Sequence, residues 1–166
     1  MFETGEYIVH GVGGICRVAE IGPSPYDKAD TQVYYLLIPV QNASRSTIYT
    51  PVQNDRVLMR RLMTGEEIDA LIGRMPQIAP LAVPAEKHRR EIYRAVLGTL
   101  KPDGYVQIIK TVEQRRILLT AARRRVPMID LEYGRMARHL LCSECAQVLG
   151  ITEREAEQHL LAALVV

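Results

Sequence analysis

The sequence predicts an α+β protein: a small antiparallel β barrel followed by an all-α helical domain. Residues 1–62 hold short runs of β-branched and aromatic residues separated by glycine- and proline-rich turns. Helical signals begin only at Thr64. Charge divides as well. Residues 1–65 balance six Lys/Arg against six Asp/Glu, whereas residues 87–125 carry eleven Lys/Arg against three acids. From residue 126 onward three arginines face six acids, so a neutral part, a basic part and an acidic tail follow one another. Such a basic middle implies contact with a polyanion.

Four strands are expected, over residues 7–9, 15–21, 33–40 and 47–52. The turn signals between them are His10-Gly11-Val12-Gly13-Gly14, Gly22-Pro23-Ser24-Pro25-Tyr26-Asp27 and Gln41-Asn42-Ala43-Ser44. Strands this short and evenly spaced suit a curled sheet of the SH3 or Tudor type. Thr64-Gly65-Glu66-Glu67 is a capping box that opens a helix to about Gly73. A connector with Pro76, Pro80 and Pro84 follows, and the helical domain including it is taken as residues 63–166.

The next helix is expected from about Ala85 to Leu100. At 100° per residue Lys87, Arg90, Arg94 and Lys101 share a sector of about 60°, with Ile92, Val96 and Leu100 across from them. A third runs from about Tyr105 to Arg124 on the stripe Tyr105, Ile108, Ile109, Val112 and Leu119. Pro127 ends it, and Asp130 is the expected cap of a helix through Leu149, stopped by Gly150. Thr152-Glu153-Arg154-Glu155 is a second capping box, for a short last helix.

Several function classes find no support. The composition, 48% apolar and 24% charged, is that of a globular chain and argues against disorder. No signal peptide and no run of about eighteen apolar residues occurs, and three sparse cysteines fit a reducing cytoplasm. The glycines at 11, 13 and 14 precede another strand instead of a helix, which suits a β turn and not a phosphate loop. Cys142-Ser143-Glu144-Cys145, with His139 nearby, lacks a second cysteine pair and reads as structural, so neither a metal nor any other cofactor is expected. No nucleophile elbow or Cys–His spacing appears, and the paired acids sit in capping boxes, so no catalytic residue is assigned.

Phe2-Glu3-Thr4-Gly5-Glu6-Tyr7-Ile8-Val9-His10-Gly11-Val12-Gly13-Gly14-Ile15-Cys16-Arg17-Val18 resembles the opening of CarD/CdnL-family bacterial transcription regulators. So do Tyr34-Tyr35-Leu36 and Ile48-Tyr49-Thr50-Pro51-Val52. In the helical half the likeness rests on Lys87-His88-Arg89-Arg90-Glu91, Asp103-Gly104, Ile108-Ile109-Lys110-Thr111 and Gly150-Ile151-Thr152. The resemblance implies a non-enzymatic regulator whose β domain, shared with the transcription-repair coupling factor, binds the RNA polymerase β subunit. Sheet edge would pair with sheet edge through Ser46, Thr47, Ile48, Tyr49, Thr50 and Pro51. It also implies that the helical domain touches double-stranded promoter DNA without strong sequence preference. Lys87, Arg89, Arg90, Arg94, Lys110, Arg115 and Arg116 are the expected phosphate contacts. Many members of that family carry a tryptophan wedge, but this chain has no Trp, which leaves Leu81 and Tyr93 as candidate minor-groove wedges. A cytoplasmic monomer with no membrane contact is expected. The alternative is an adaptor that binds polymerase and uses its helices on a protein instead of DNA.

Overall fold

The computed structural model describes residues 1–11, 14–41 and 47–164. It comprises two compact units, Met1–Leu62 and Met63–Val166.

Among the described residues the first unit is a five-stranded antiparallel sheet: β1 (Tyr7–His10), β2 (Gly14–Pro23), β3 (Val33–Pro39), β4 (Ile48–Pro51) and β5 (Met59–Arg61). Their order is β4-β3-β2-β1-β5. Ile8, Cys16, Val18, Tyr35 and Leu37 form its core. Cys16 and Val18 point inward in ordinary alternation, which would bury Glu20 next. A register shift between Val18 and Glu20 prevents that: Glu20 stays outside and Ile21 packs on the core instead. Such a bulge also bends its strand and increases twist. The curl is visible in one bond: buried His10 of β1 lies 3.1 Å from Thr50 of β4, though the two strands are not neighbours in the ladder.

The expected small β domain followed by helices is what the chain forms, with one strand more than the four anticipated. β5 is three residues long, too short for alternation to reveal it.

The second unit has five helices: α1 (Gly65–Arg74), α2 (Arg89–Gly98), α3 (Pro102–Ala121), α4 (Met128–Leu149) and α5 (Glu153–Ala163). Both capping boxes form, at Thr64 with Glu67 and at Thr152 with Glu155. Ile68, Leu71, Met75, Tyr93, Tyr105, Ile108 and Leu141 are among the side chains of its single core. Each such side chain contributes roughly 1.5–3 kcal/mol by leaving water. α3 and α4 pack closely enough that a Cβ on Gly134 would meet Val112 Cγ1 at 2.9 Å.

Three helix boundaries differ from expectation. α2 begins at Arg89, because Glu86–His88 form a 3₁₀ turn before it. α3 begins at Pro102 and not at Tyr105, since proline suits the first helical position. α4 begins at Met128 with Pro127 at the cap position, so Asp130 does not cap it; its side chain is buried in an ionic cluster.

Candidate protein and nucleic-acid interfaces

In the β unit, the register decides which backbone groups are available. Val52 N–H donates to Val33 C=O, and β3 pairs Tyr34 with Pro51, Tyr35 with Thr50, Leu36 with Tyr49 and Leu37 with Ile48. Antiparallel pairs alternate between hydrogen-bonded and non-bonded. Ile48 and Thr50 therefore bond inward to β3, while Tyr49 and Pro51 turn their backbone groups away from it. Pro51 has no N–H, so Tyr49 supplies the outward donor of β4. Beside it the Tyr26 ring meets the Tyr49 ring edge-on at 5.3 Å, and Tyr34, Leu36 and Glu20 share a shallow depression with both Tyr49 and Pro25. Thr47 is exposed, and Ser46 lies outside the described residues.

The other edge differs. Arg60 Nη1 donates to the Arg61 carbonyl at 3.0 Å, and Arg61 Nη1 to the Leu62 carbonyl at 2.9 Å. A short strand whose arginines bind back to their own backbone is a poor template for another chain.

In the helical unit the basic residues separate into two populations. Lys110 is only 3% exposed. Its Nζ donates to the carbonyls of Met75, Pro76 and Ile78 at 2.5, 3.2 and 2.9 Å, so it clasps the connector and cannot serve as a phosphate contact. Arg89, 7% exposed, donates to Glu86 and to the Tyr93 hydroxyl. Arg115 donates to both Glu86 oxygens and lies 2.7 Å from Asp130. Tyr93 in turn donates to Asp130 Oδ1 at 2.9 Å.

These five side chains form one knot joining the start of α2, the middle of α3 and the start of α4. Hydrogen bonds from Arg115 and then Arg89 hold the Glu86 carboxyl down at about 2. Burial pushes the Tyr93 hydroxyl up to about 12. Arg89 and Arg115 therefore correct the expectation: their charge is used internally. Tyr93 is fully buried and is no wedge. Leu81 is half-buried against the core, its N–H donating to Thr111 Oγ1 at 2.8 Å, so it is no wedge either.

The second population faces outward. Lys87 and Arg94 are exposed, with no acid at ion-pair distance among the described residues. Arg90 is exposed and only 4.0 Å from Glu132 at its nearest. Arg116 is exposed and paired with Glu113 on its own helix.

The cysteines behave as packing groups. Cys142 and Cys145 are buried in the helical core, and burial pushes their thiols up to about 11 and about 12. A thiol so shifted is a poor nucleophile or ligand at neutral pH. Neighbouring His139 pairs with Glu153 at 3.3 Å.

Residues 2–63 match the family model described as the CarD-like/TRCF RID domain. The N-terminal unit is therefore similar to CarD-like RID domains over its whole length. That family model describes a protein-interaction domain, and the match supports an RNA polymerase-binding, transcription-related role for this unit. No curated protein matches the chain. No helix among the described residues is long and apolar enough to cross a membrane.

The ionic knot was missed from sequence because Glu86 and Asp130 are isolated acids far apart in the chain. The local signals are the Glu86/Arg89 spacing of three residues across a helix start and the Arg89/Tyr93 spacing of four along α2.

Proposed function

We propose that this chain is a bacterial, cytoplasmic transcription regulator that modulates initiation by bridging the RNA polymerase β subunit and promoter DNA. Its RID domain takes a strand of the β subunit onto the open edge of β4. Its helical unit holds duplex phosphates through Lys87, Arg90, Arg94 and Arg116, without reading bases. The observation that carries the reading is the pairing of the RID match with an edge strand whose outward donor is Tyr49. Backbone hydrogen bonds across such an edge supply affinity, and the Tyr26–Tyr49 pair gives the partner strand an aromatic surface.

The test uses the full chain as bait for purified polymerase. Tyr49→Pro removes the outward N–H while leaving the inward ladder of Ile48 and Thr50 in place. Binding should fall at least tenfold, on the scale of one or two lost backbone bonds, with thermal stability retained. Equal retention of polymerase by parent and variant rejects the strand-edge reading. Polymerase binding without any DNA binding leaves the adaptor alternative in its place.

A further inference from the structure

The corner between α3 and α4 carries the sequence's densest cation cluster, Arg123-Arg124-Arg125, which the surfaces described so far do not use. All three are exposed, and no acid lies within ion-pair distance of any of them among the described residues. The backbone that presents them is an ordered helix end. Arg123 N–H donates to Thr120 C=O at 3.0 Å and Arg124 N–H to Leu119 C=O at 2.8 Å, the paired bonds of a Schellman motif. The left-handed residue of that motif is usually glycine, yet here it is Arg123, with φ +55°. Where Gly150 ends α4 with the same handedness and a bare backbone, α3 ends on a cation.

Apolar side chains accompany the charge. Leu118 is 70% exposed and Met128 74% exposed, on the last turn of α3 and the first residue of α4. The Arg115–Asp130 pair fixes these two helices side by side, so Leu118 and Met128 stand about one turn beyond it, near the arginines. That pair belongs to the knot in which Glu86 anchors the start of α2, next to Lys87. The 3₁₀ turn before α2 and the first turn of α4 thus both meet α3 at Arg115, less than two turns before its end. The exposed acids there are Glu86, which is paired with Arg89 and Arg115, Glu91 and Glu132, fewer than the cations.

We infer that this corner is a second contact for duplex DNA, with Arg123, Arg124 and Arg125 on phosphates and Leu118 or Met128 against the groove wall. Three unpaired guanidiniums fit closely spaced phosphates. An exposed aliphatic side chain between them suits the sugar and base edges of a minor groove. The inference rests on the DNA-binding half of the proposed function and extends it to residues outside that set.

The experiment is fluorescence anisotropy with the full chain and a generic duplex across a salt series, with dextran sulfate as competitor. The corner variant is Arg123→Asn, Arg124→Gln, Arg125→Gln, with Asn chosen because it tolerates the left-handed backbone. The comparison variant carries Lys87→Gln, Arg90→Gln and Arg94→Gln. The corner variant should bind roughly 10–100-fold more weakly and flatten the salt slope by about 2–3, with an unchanged melting curve. Leu118→Ala should weaken duplex binding severalfold while leaving binding to dextran sulfate unchanged, which separates groove contact from mere charge. If the corner variant binds like the parent while the α2 variant is weakened, the corner inference is overturned and the proposed function stands. A parent chain that binds no duplex at low salt overturns both.

Discussion

At the scale of single residues, the structure redistributes charge that composition can only count. Lys110 lies off the apolar stripe of α3, but the helix is buried on every side over residues 108–112, so Lys110 is enclosed with it. Its ammonium satisfies three connector carbonyls. Lys110→Met should therefore destabilise the protein by about 3 kcal/mol in urea denaturation, since it orphans those carbonyls. Loss of less than about 0.5 kcal/mol would show that water replaces the ammonium there. Glu86 supplies a pH signature. Its folded carboxyl titrates at about 2, below its unfolded value. Its contribution is complete above about pH 4.5 and disappears as pH falls toward 2. Glu86 is largely exposed, so the effect is below about 1 kcal/mol. The stability difference between the parent and Glu86→Gln should shrink across that window and nowhere above it.

At the scale of elements, what was legible followed from local chemistry. Capping boxes at Thr64 and Thr152 and glycine at 150 set helix ends through atoms adjacent in sequence, whereas Pro102 opens α3 where a break was expected. The bulge in β2 was legible in principle, since Cys16, Val18 and Ile21 cannot share a face without an inserted residue. The partners of Arg89 and Arg115 were not, because tertiary packing brought Asp130 to them across 41 and 15 positions of chain. Close approach of α3 and α4 was likewise invisible. Gly134→Ala should cost about 1–3 kcal/mol in thermal unfolding, because Val112 Cγ1 stands 2.9 Å from the added carbon. Combining it with Val112→Ala should recover part of that loss; strict additivity would mean the two helices simply move apart. In β4, Thr50→Pro should unfold the sheet edge where Tyr49→Pro does not, since only Thr50 bonds inward.

For the molecule as a whole, the division of labour is written in charge and in edges. The outward set of Lys87, Arg90, Arg94 and Arg116 predicts a slope of log K against log salt near −3 to −4, and the α3–α4 corner would bring it toward −6. The slope should hardly change between unrelated duplexes, and a strong sequence preference at constant salt would contradict phosphate-dominated binding.

The unequal edges of the RID sheet also fix how copies of the chain can meet. Strand pairing needs two open edges, and here β5 is short and occupied by Arg60 and Arg61. Head-to-tail growth, in which β4 of one copy joins β5 of the next, is disfavoured by that short edge, where arginines already bind the Arg61 and Leu62 carbonyls. What remains is β4 against β4 about a two-fold axis, a self-complementary pairing that uses up both open edges and closes at two. That pairing would cover the edge proposed for polymerase, so a dimer and a polymerase complex would compete for it.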